Sequence, residues 1–372
     1  MSGSPNPRPH WVILEAYHGG SHRQLIGGLL EHAIADATLL SLPARKWKWR
    51  MRGAALDFAP RIASLERPPD AIFASSMVNL ADVRALLPSG LRDLPIVAYF
   101  HENQLTYPVQ EVDPRDHHFA WTNALTALAA DRVLWNSAYN RDSFLEELGI
   151  VLHKMPDARP NWIVDAIARR SAVLPVPIDD DAFGAHRGRR AGPCHIVWNH
   201  RWEHDKGPEL LLDLVRGLVD GHHDFRLSVI GQRFETRVPA MDAVREAAGD
   251  HVDTWGFVES RTDYHRLLAR ADVALSTARH EFQGLAVLEA AAAGAVPLVP
   301  DRLAYPEIWP SAWRASEVDL FERLVERVVD VETWRAVDPR PVARTFAWSS
   351  LAGPWRTVFV DPPAPAPALP LV

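Results

Sequence analysis

A single cysteine, Cys194, leaves the 372-residue chain without the pair that an intramolecular disulfide requires. Nor does any uninterrupted apolar run approach the roughly eighteen residues of a membrane-crossing helix. The amino terminus lacks the charged start, apolar stretch and small-residue cleavage site of a secretory leader. Together these absences point to the reducing cytoplasm and to no membrane span. Positive charge is not in excess either: 40 Lys and Arg face 47 Asp and Glu, a net charge of -7 at pH 7. A surface uniformly attractive to polyanions is thereby excluded, since net charge governs the summed field, and contact with nucleic acid has to come from a local patch. One such patch is present. Arg45, Lys46, Trp47, Lys48, Trp49, Arg50 and Arg52 bring five cations and two tryptophans together with no carboxylate among them.

A hydrophobic fraction of 47% over this length is enough for two cores. Short β-branched runs at 11–17, 71–74, 96–100, 132–135 and 172–174 alternate with helical stretches at 21–35, 79–87, 119–130 and 138–148, the order that builds a parallel, doubly wound sheet. From 175 to 193 the composition shifts to proline, aspartate, arginine and glycine, as in an ordered linker. A second alternation follows, with strands at 195–198, 226–230, 252–255, 272–276 and 296–299 and helices at 208–219, 241–248, 262–270 and 284–293. The expected organisation is an α/β chain with an N-terminal Rossmann-like domain at 8–178, a linker at 179–194 and a C-terminal Rossmann-like domain at 195–349. A helix at 350–360 is expected to pack back on the first domain. The proline- and alanine-rich tail at 361–372 has too little apolar mass to offset ordering entropy and is expected to be disordered.

In open α/β sheets ligands lie beyond the carboxyl ends of the strands, and chemistry-bearing residues fall there. After the first strand come His18-Gly19-Gly20-Ser21-His22, where two glycines permit close backbone approach and the next helix offers unpaired N–H groups to an anion. The same stretch also reads as a plain glycine turn. The glycines between the two histidines argue against a shared helical face and so against a metal. After strand 96–100, His101, Glu102 and Asn103 are expected to project into a cleft, with His101 bonding a sugar hydroxyl or the reacting region, or else serving as a buried structural histidine. In the second half, Arg201 and Lys206 share one loop ahead of a helix amino terminus, so cations and helix dipole converge on a diphosphate. Fixed cations stabilise a nucleoside diphosphate where its charge develops on departure; the bland alternative is a solvated cluster with Glu203 and Asp205. Glu281 and Glu289 follow on the next loop and helix, with Gly284 between them letting the backbone approach a ligand. Each carboxylate is suited to hold vicinal hydroxyls, and Glu289 amid alanines would be a costly buried charge without a partner.

The spacing of Arg201 with Lys206 and of Glu281 with Glu289 resembles the retaining GT-B glycosyltransferases, the large family that includes sucrose synthase and many mannosyltransferases. More narrowly, Glu15-Ala16-Tyr17-His18-Gly19-Gly20-Ser21-His22, Leu42-Pro43-Ala44-Arg45-Lys46-Trp47-Lys48-Trp49-Arg50, Tyr99-Phe100-His101-Glu102-Asn103-Gln104-Leu105, His200-Arg201-Trp202-Glu203-His204-Asp205-Lys206 and Tyr305-Pro306-Glu307-Ile308 are similar to the tRNA-queuosine alpha-mannosyltransferase family. The resemblance implies two Rossmann-like domains facing a central cleft, the first taking the acceptor and the second the nucleotide sugar. Arg201 and Lys206 would grip the diphosphate, Glu289 the ribose, and Glu281 with the backbone at Gln283, Gly284 and Leu285 the donor sugar. Gly19 and Gly20 would approach phosphate or acceptor, His101 the reacting carbon, and the loop bearing Phe257 the nucleobase. The catalytic set is then His101, Arg201, Lys206 and Glu281. The implied donor is GDP-mannose, transferred with retention of configuration to queuosine in a tRNA anticodon.

For the acceptor, cations interleaved with aromatics at Arg45, Lys46, Trp47, Lys48, Trp49 and Arg50 can neutralise phosphates and stack on unpaired bases, with Glu102 and Asn103 nearby; a surface strand with snorkelling lysines is the alternative. Asp179, Asp180 and Asp181 suggest a divalent ion, but in a proline-rich linker they read better as a hinge turn, so neither metal nor cofactor is expected. Two other functions fit the same motifs: transfer to a lipid, glycan or small molecule, and a noncatalytic RNA-binding protein that keeps the GT-B fold.

Overall fold

The computed structural model describes residues 8–107, 117–184, 191–233 and 238–365; part of the linker (185–190) and the tail from 366 onward lie outside them. The chain divides into two compact units, residues 1–176 with 351–372, and residues 177–350. No helix among the described residues is long and apolar enough to cross a membrane.

The first unit is built on a six-stranded parallel sheet of β1 (Trp11–His18), β2 (Ala37–Pro43), β3 (Ala71–Ser75), β4 (Ile96–Phe100), β5 (Arg132–Trp135) and β6 (Ser171–Val173), in the order β2-β1-β3-β4-β5-β6. Every residue of β3 and β4 is buried, which is why both read as continuous apolar runs. Around the sheet lie α1 (Gly20–His32), α2 (Trp47–Ala63), α3 (Leu80–Leu86), α4 (His117–Ala129), α5 (Ala138–His153) and α6 (Trp162–Arg169). The basic segment is the first turn of α2, not a surface strand. Lys46 caps that helix in the left-handed region at φ 52°, and Met51, Ala54, Ala55, Phe58, Ala59 and Ile62 bury one face at helical spacing.

The second unit has its own parallel sheet of β7 (Cys194–Trp198), β8 (Phe225–Ile230), β9 (Val252–Gly256), β10 (Val273–Leu275), β11 (Val296–Pro300) and β12 (Arg314–Ala315), in the order β12-β11-β10-β7-β8-β9. Its helices include α7 (Pro208–Asp220), α8 (Pro239–Ala248), α9 (Arg261–Arg270) and α10 (Leu285–Ala293). Val197, Ala274 and Val299 belong to the core cluster that contains α10, whereas their neighbours Trp198, Leu275 and Leu298 belong to the one that contains α7. Successive strand residues point to opposite faces, so the sheet is covered on both.

In each unit the first strand lies inside its sheet, β1 between β2 and β3, β7 between β8 and β10. Connections therefore leave in both directions there, which opens a crevice at the carboxyl ends of the neighbouring strands. The C-terminal helix Trp348–Val360 closes the first unit: Trp355 packs 5.3 Å from the Tyr99 ring, and the Trp11 indole N–H donates to the Phe359 carbonyl at 3.0 Å.

Candidate active site

In the second unit, the loops that follow β7 and β10 interlock. Gly207, at φ 65°, sits so close to the neighbouring loop that a Cβ there would lie 2.1 Å from the Thr277 carbonyl oxygen. The Thr277 hydroxyl donates to the Lys206 carbonyl at 2.8 Å and accepts from the Trp198 indole at 2.9 Å. Arg279 and His280 donate their amides to the Asp205 carbonyl at 2.8 and 3.0 Å. These bonds fix Lys206, which is buried, with its ammonium donating to the His280 carbonyl at 2.9 Å and to Glu281 at 3.2 Å. Asp205 lies 3.0 Å from the same ammonium. Arg201, on the outer part of the loop, is exposed and pairs with Glu203 at 3.1 Å.

The electrostatics follow from burial and this cation. Burial by itself would raise the Glu281 carboxyl, but Lys206 and His200 outweigh it and hold the group at about 2. Glu281 is thus a carboxylate at any working pH. Burial, reinforced by Lys206, lowers His200 to about 4 and keeps it neutral. Its Nε2 has no hydrogen-bond partner among the described residues. A neutral imidazole with an unengaged nitrogen beside Lys206 could accept a hydrogen bond from a ligand or donate one to it; reading the sequence missed it, because only the fold reveals its burial.

Gly284 turns the chain into α10 at φ 84°, and a Cβ there would meet the Tyr305 ring at 2.9 Å. No side chain caps α10, so its first amide groups are open to an anion or a hydroxyl. Gln283 is buried just before that turn and Leu285 is the first residue of the helix. Glu289, also buried, accepts from the Tyr264 hydroxyl at 2.9 Å and from Arg261 at 3.1 Å. Burial pushes its carboxyl upward, against the pull of Arg261 and Tyr264. Asn199, on the loop after β7, ties it to α9 and α10 by donating to the Tyr264 hydroxyl at 3.1 Å and to the Ala286 carbonyl at 2.7 Å, leaving its buried Oδ1 without a partner among the described residues. Glu281 and Glu289 are thus held separately, one by Lys206 and the other by Tyr264 and Arg261. Phe257, beyond β9, is 63% exposed. Asp179 turns to Arg261, while Asp180 accepts from Ser349 and pairs with Arg344 at 3.2 Å.

In the first unit the residues of interest gather at the carboxyl ends of β1, β3 and β4. Gly20 takes φ 51°, and a Cβ on Gly19 would lie 2.5 Å from that of Ala44, so the glycine turn packs against the start of the basic segment. His22 lies between Glu15 and Glu102 and stacks on His101, with ring centroids 3.9 Å apart. Asn103, expected to project into a cleft, is instead fully buried. Its amide donates to Asn140 at 2.9 Å and its oxygen accepts from the Leu105 and Thr106 amides, so it shapes the loop that carries His101. In the basic segment Trp47 packs 5.0 Å from Phe119, and the Lys48 ammonium and the Arg52 guanidinium stand 5.7 and 5.0 Å from that ring. Arg50 donates to the Pro43 carbonyl at 3.2 Å; Arg45 and Lys46 are exposed, and Trp49 is 75% exposed.

Comparison with known proteins agrees with this architecture. Residues 10–178 match the family described as tRNA-queuosine alpha-mannosyltransferase N-terminal, and residues 187–311 match glycosyl transferases group 1. The Drosophila melanogaster tRNA-queuosine alpha-mannosyltransferase is 39% identical over 313 residues, 82% of each chain. A Mycobacterium tuberculosis GDP-mannose-dependent alpha-(1-6)-phosphatidylinositol dimannoside mannosyltransferase is 29% identical over 199 residues, 50% of this chain and 45% of that one. Among solved structures, an Escherichia coli trehalose-6-phosphate protein bound with UDP-2-fluoro glucose superposes with a TM-score of 0.67 at 13% identity, covering 94% of this chain and 98% of the other. An Anabaena protein in complex with UDP and glucose gives 0.63 at 14%, covering 94% and 97%. At such identities the structural likeness speaks to the GT-B fold alone. The extent and identity of the Drosophila match show that this chain belongs to the tRNA-queuosine alpha-mannosyltransferase family of glycosyltransferases.

Proposed function

We propose that the protein transfers mannose from GDP-mannose to queuosine in the anticodon of a tRNA, with retention at the anomeric carbon and without a metal ion or cofactor. The observation that carries the reading is the buried Lys206–Glu281 pair beside the uncapped start of α10, in a chain so similar to the Drosophila enzyme. GDP-mannose as donor draws support from the name of the mycobacterial relative, and queuosine-containing tRNA as acceptor from that of the Drosophila relative.

In this reading Arg201 and Lys206 bind the diphosphate and stabilise the charge that develops on departing GDP. His200 offers its unengaged nitrogen to the same group. Glu281, held ionised, accepts from mannose hydroxyls, with the amides at Gln283, Gly284 and Leu285 beside it. Glu289 accepts from the ribose hydroxyls, and Phe257 lies against the base. The bond between the anomeric carbon and the phosphate oxygen breaks, and the acceptor hydroxyl bonds to that carbon from the same face. Its proton passes to the departing phosphate oxygen. Gly19, Gly20, His101 and the loop of Glu102 and Asn103 attend the acceptor and the sugar, while Arg45, Lys46, Lys48 and Arg50 neutralise tRNA phosphates and Trp49 stacks on an unpaired base.

The test is mass spectrometry of nucleosides from queuosine-containing tRNA incubated with the protein and GDP-mannose, with and without chelator. A hexose added to queuosine in both samples supports the proposal. Transfer restored only by magnesium or manganese refutes the metal-free mechanism. Transfer to lipid or glycan but not to tRNA favours the acceptor class of the mycobacterial relative, and failure to bind any nucleotide sugar favours a noncatalytic RNA-binding role.

A further inference from the structure

Glu15 interrupts the apolar run of β1 and has no exposed surface. One of its oxygens accepts from the Tyr17 amide at 2.8 Å and from the Ser75 hydroxyl at 3.0 Å. The other faces Nδ1 of His22 at 3.0 Å, and across the ring Nε2 of His22 faces Glu102 at 3.4 Å. An ionised carboxylate only accepts hydrogen bonds, so both nitrogens of His22 carry hydrogens and the ring is an imidazolium. His101 lies parallel to it, with centroids 3.9 Å apart and planes 25° apart, and is itself 5% exposed. A second buried cation at that distance would be strongly repelled. His101 is therefore the neutral member of the stack.

We infer that His22 is a positioning residue for glycosyl transfer: a cation fixed between Glu15 and Glu102 that adds to burial in keeping the stacked His101 neutral, and so able to exchange hydrogen bonds with a hydroxyl. The inference rests on the reading above, in which His101 attends the sugar. The titratable groups facing the pair are Glu15, Tyr17 and His18 from β1, Tyr99 from β4, and Glu102 from the loop after it. Ligand atoms of Glu15, His22 and His101 lie within 4.8 Å of one another, which raises a metal as the alternative. The two carboxylates already satisfy both His22 nitrogens as hydrogen-bond acceptors, and metal content of the purified protein separates the two readings.

The charge states are read directly by NMR of wild-type protein labelled with 15N histidine. The expected spectrum has one imidazole protonated on both nitrogens and insensitive to pH through the ordinary histidine range, and a stacked partner that stays neutral. Kinetics of His22→Gln test the consequence. The variant removes the cation while keeping a side chain that can bond one carboxylate, so kcat should fall by ~10- to 100-fold with donor KM changed by less than about threefold. The acid limb of the variant should lie at higher pH than that of the wild type, because burial alone then opposes protonation of His101. A doubly protonated His101 in the wild-type spectrum, a stoichiometric bound metal, or a variant with wild-type kcat and pH profile would each overturn the inference. Wild-type protein inactive toward every nucleotide sugar would instead sink the reading on which it rests.

Discussion

Glu289 shows how a single side chain can be both held and available. It is buried on a helix of alanines, and its two bonding partners, Tyr264 and Arg261, both lie on α9. A ribose diol binding there has to share or replace those bonds. Glu289→Gln keeps the size and removes the charge, so GDP binding should weaken by about 1.5–3 kcal/mol, the worth of hydrogen bonds to an ionised acceptor, with little change in the urea midpoint; equal GDP affinity by calorimetry would remove Glu289 from the site. Two other side chains make stability depend on pH. His22 sits at about 10 when folded against an ordinary 6.5, so its contribution is complete below 6.5 and is lost as pH rises through about 10. Glu281 sits at about 2 against 4.5, so its contribution is present above 4.5 and is lost as pH falls through about 2. Urea midpoints should accordingly decline from neutral pH toward 10, and His22→Gln should flatten that decline. At this scale some of the site was legible: a glutamate amid alanines announces a buried partner, which Glu289 has in Tyr264 and Arg261. His200 was not, since nothing in the order of residues says that it lies buried against Lys206.

At the scale of elements, the loops are the working parts. Gly207 gives the loop after β7 its left-handed turn and its contact with the loop after β10. Gly207→Ala forces a strained φ and drives a methyl into the Thr277 carbonyl; a loss of more than about 1 kcal/mol and a shifted Lys206 are expected. Denaturation and kinetics check this together, and a variant with unchanged kcat/KM would show that the interlock is dispensable. Helix α2 carries the acceptor prediction. Trp49 is 75% exposed at its first turn, so Trp49→Ala should leave stability intact and weaken tRNA binding by about 1–3 kcal/mol, the value of one stacked base; filter binding at fixed salt measures it, and unchanged affinity would exclude Trp49 from the tRNA contact. The residues of α2 repeat an apolar face every three or four positions, a signal legible from Met51 to Ile62 once the first turn is set aside. That first turn misleads because the alternation of cations and tryptophans mimics a strand, and the left-handed Lys46 that starts the helix leaves no mark in the sequence.

For the whole molecule, the alternation of apolar runs and helices sufficed to foresee two parallel sheets, because strands covered on both faces must be apolar throughout and connections between parallel strands must be helical. Strand β2 escaped notice; only Leu40 among its residues is buried, as suits an edge of the sheet. The order of strands was not legible either, since pairing depends on contacts far apart in the chain. The account as a whole depends on the second unit binding a nucleotide sugar through the loop that ends in Lys206. Calorimetric titration of GDP-mannose into wild-type protein and Lys206→Ala, without tRNA, tests this most directly. The account predicts binding by the wild type and affinity at least about tenfold weaker in the variant, as expected for loss of a buried charge-assisted contact; equal affinity of the two proteins would contradict it.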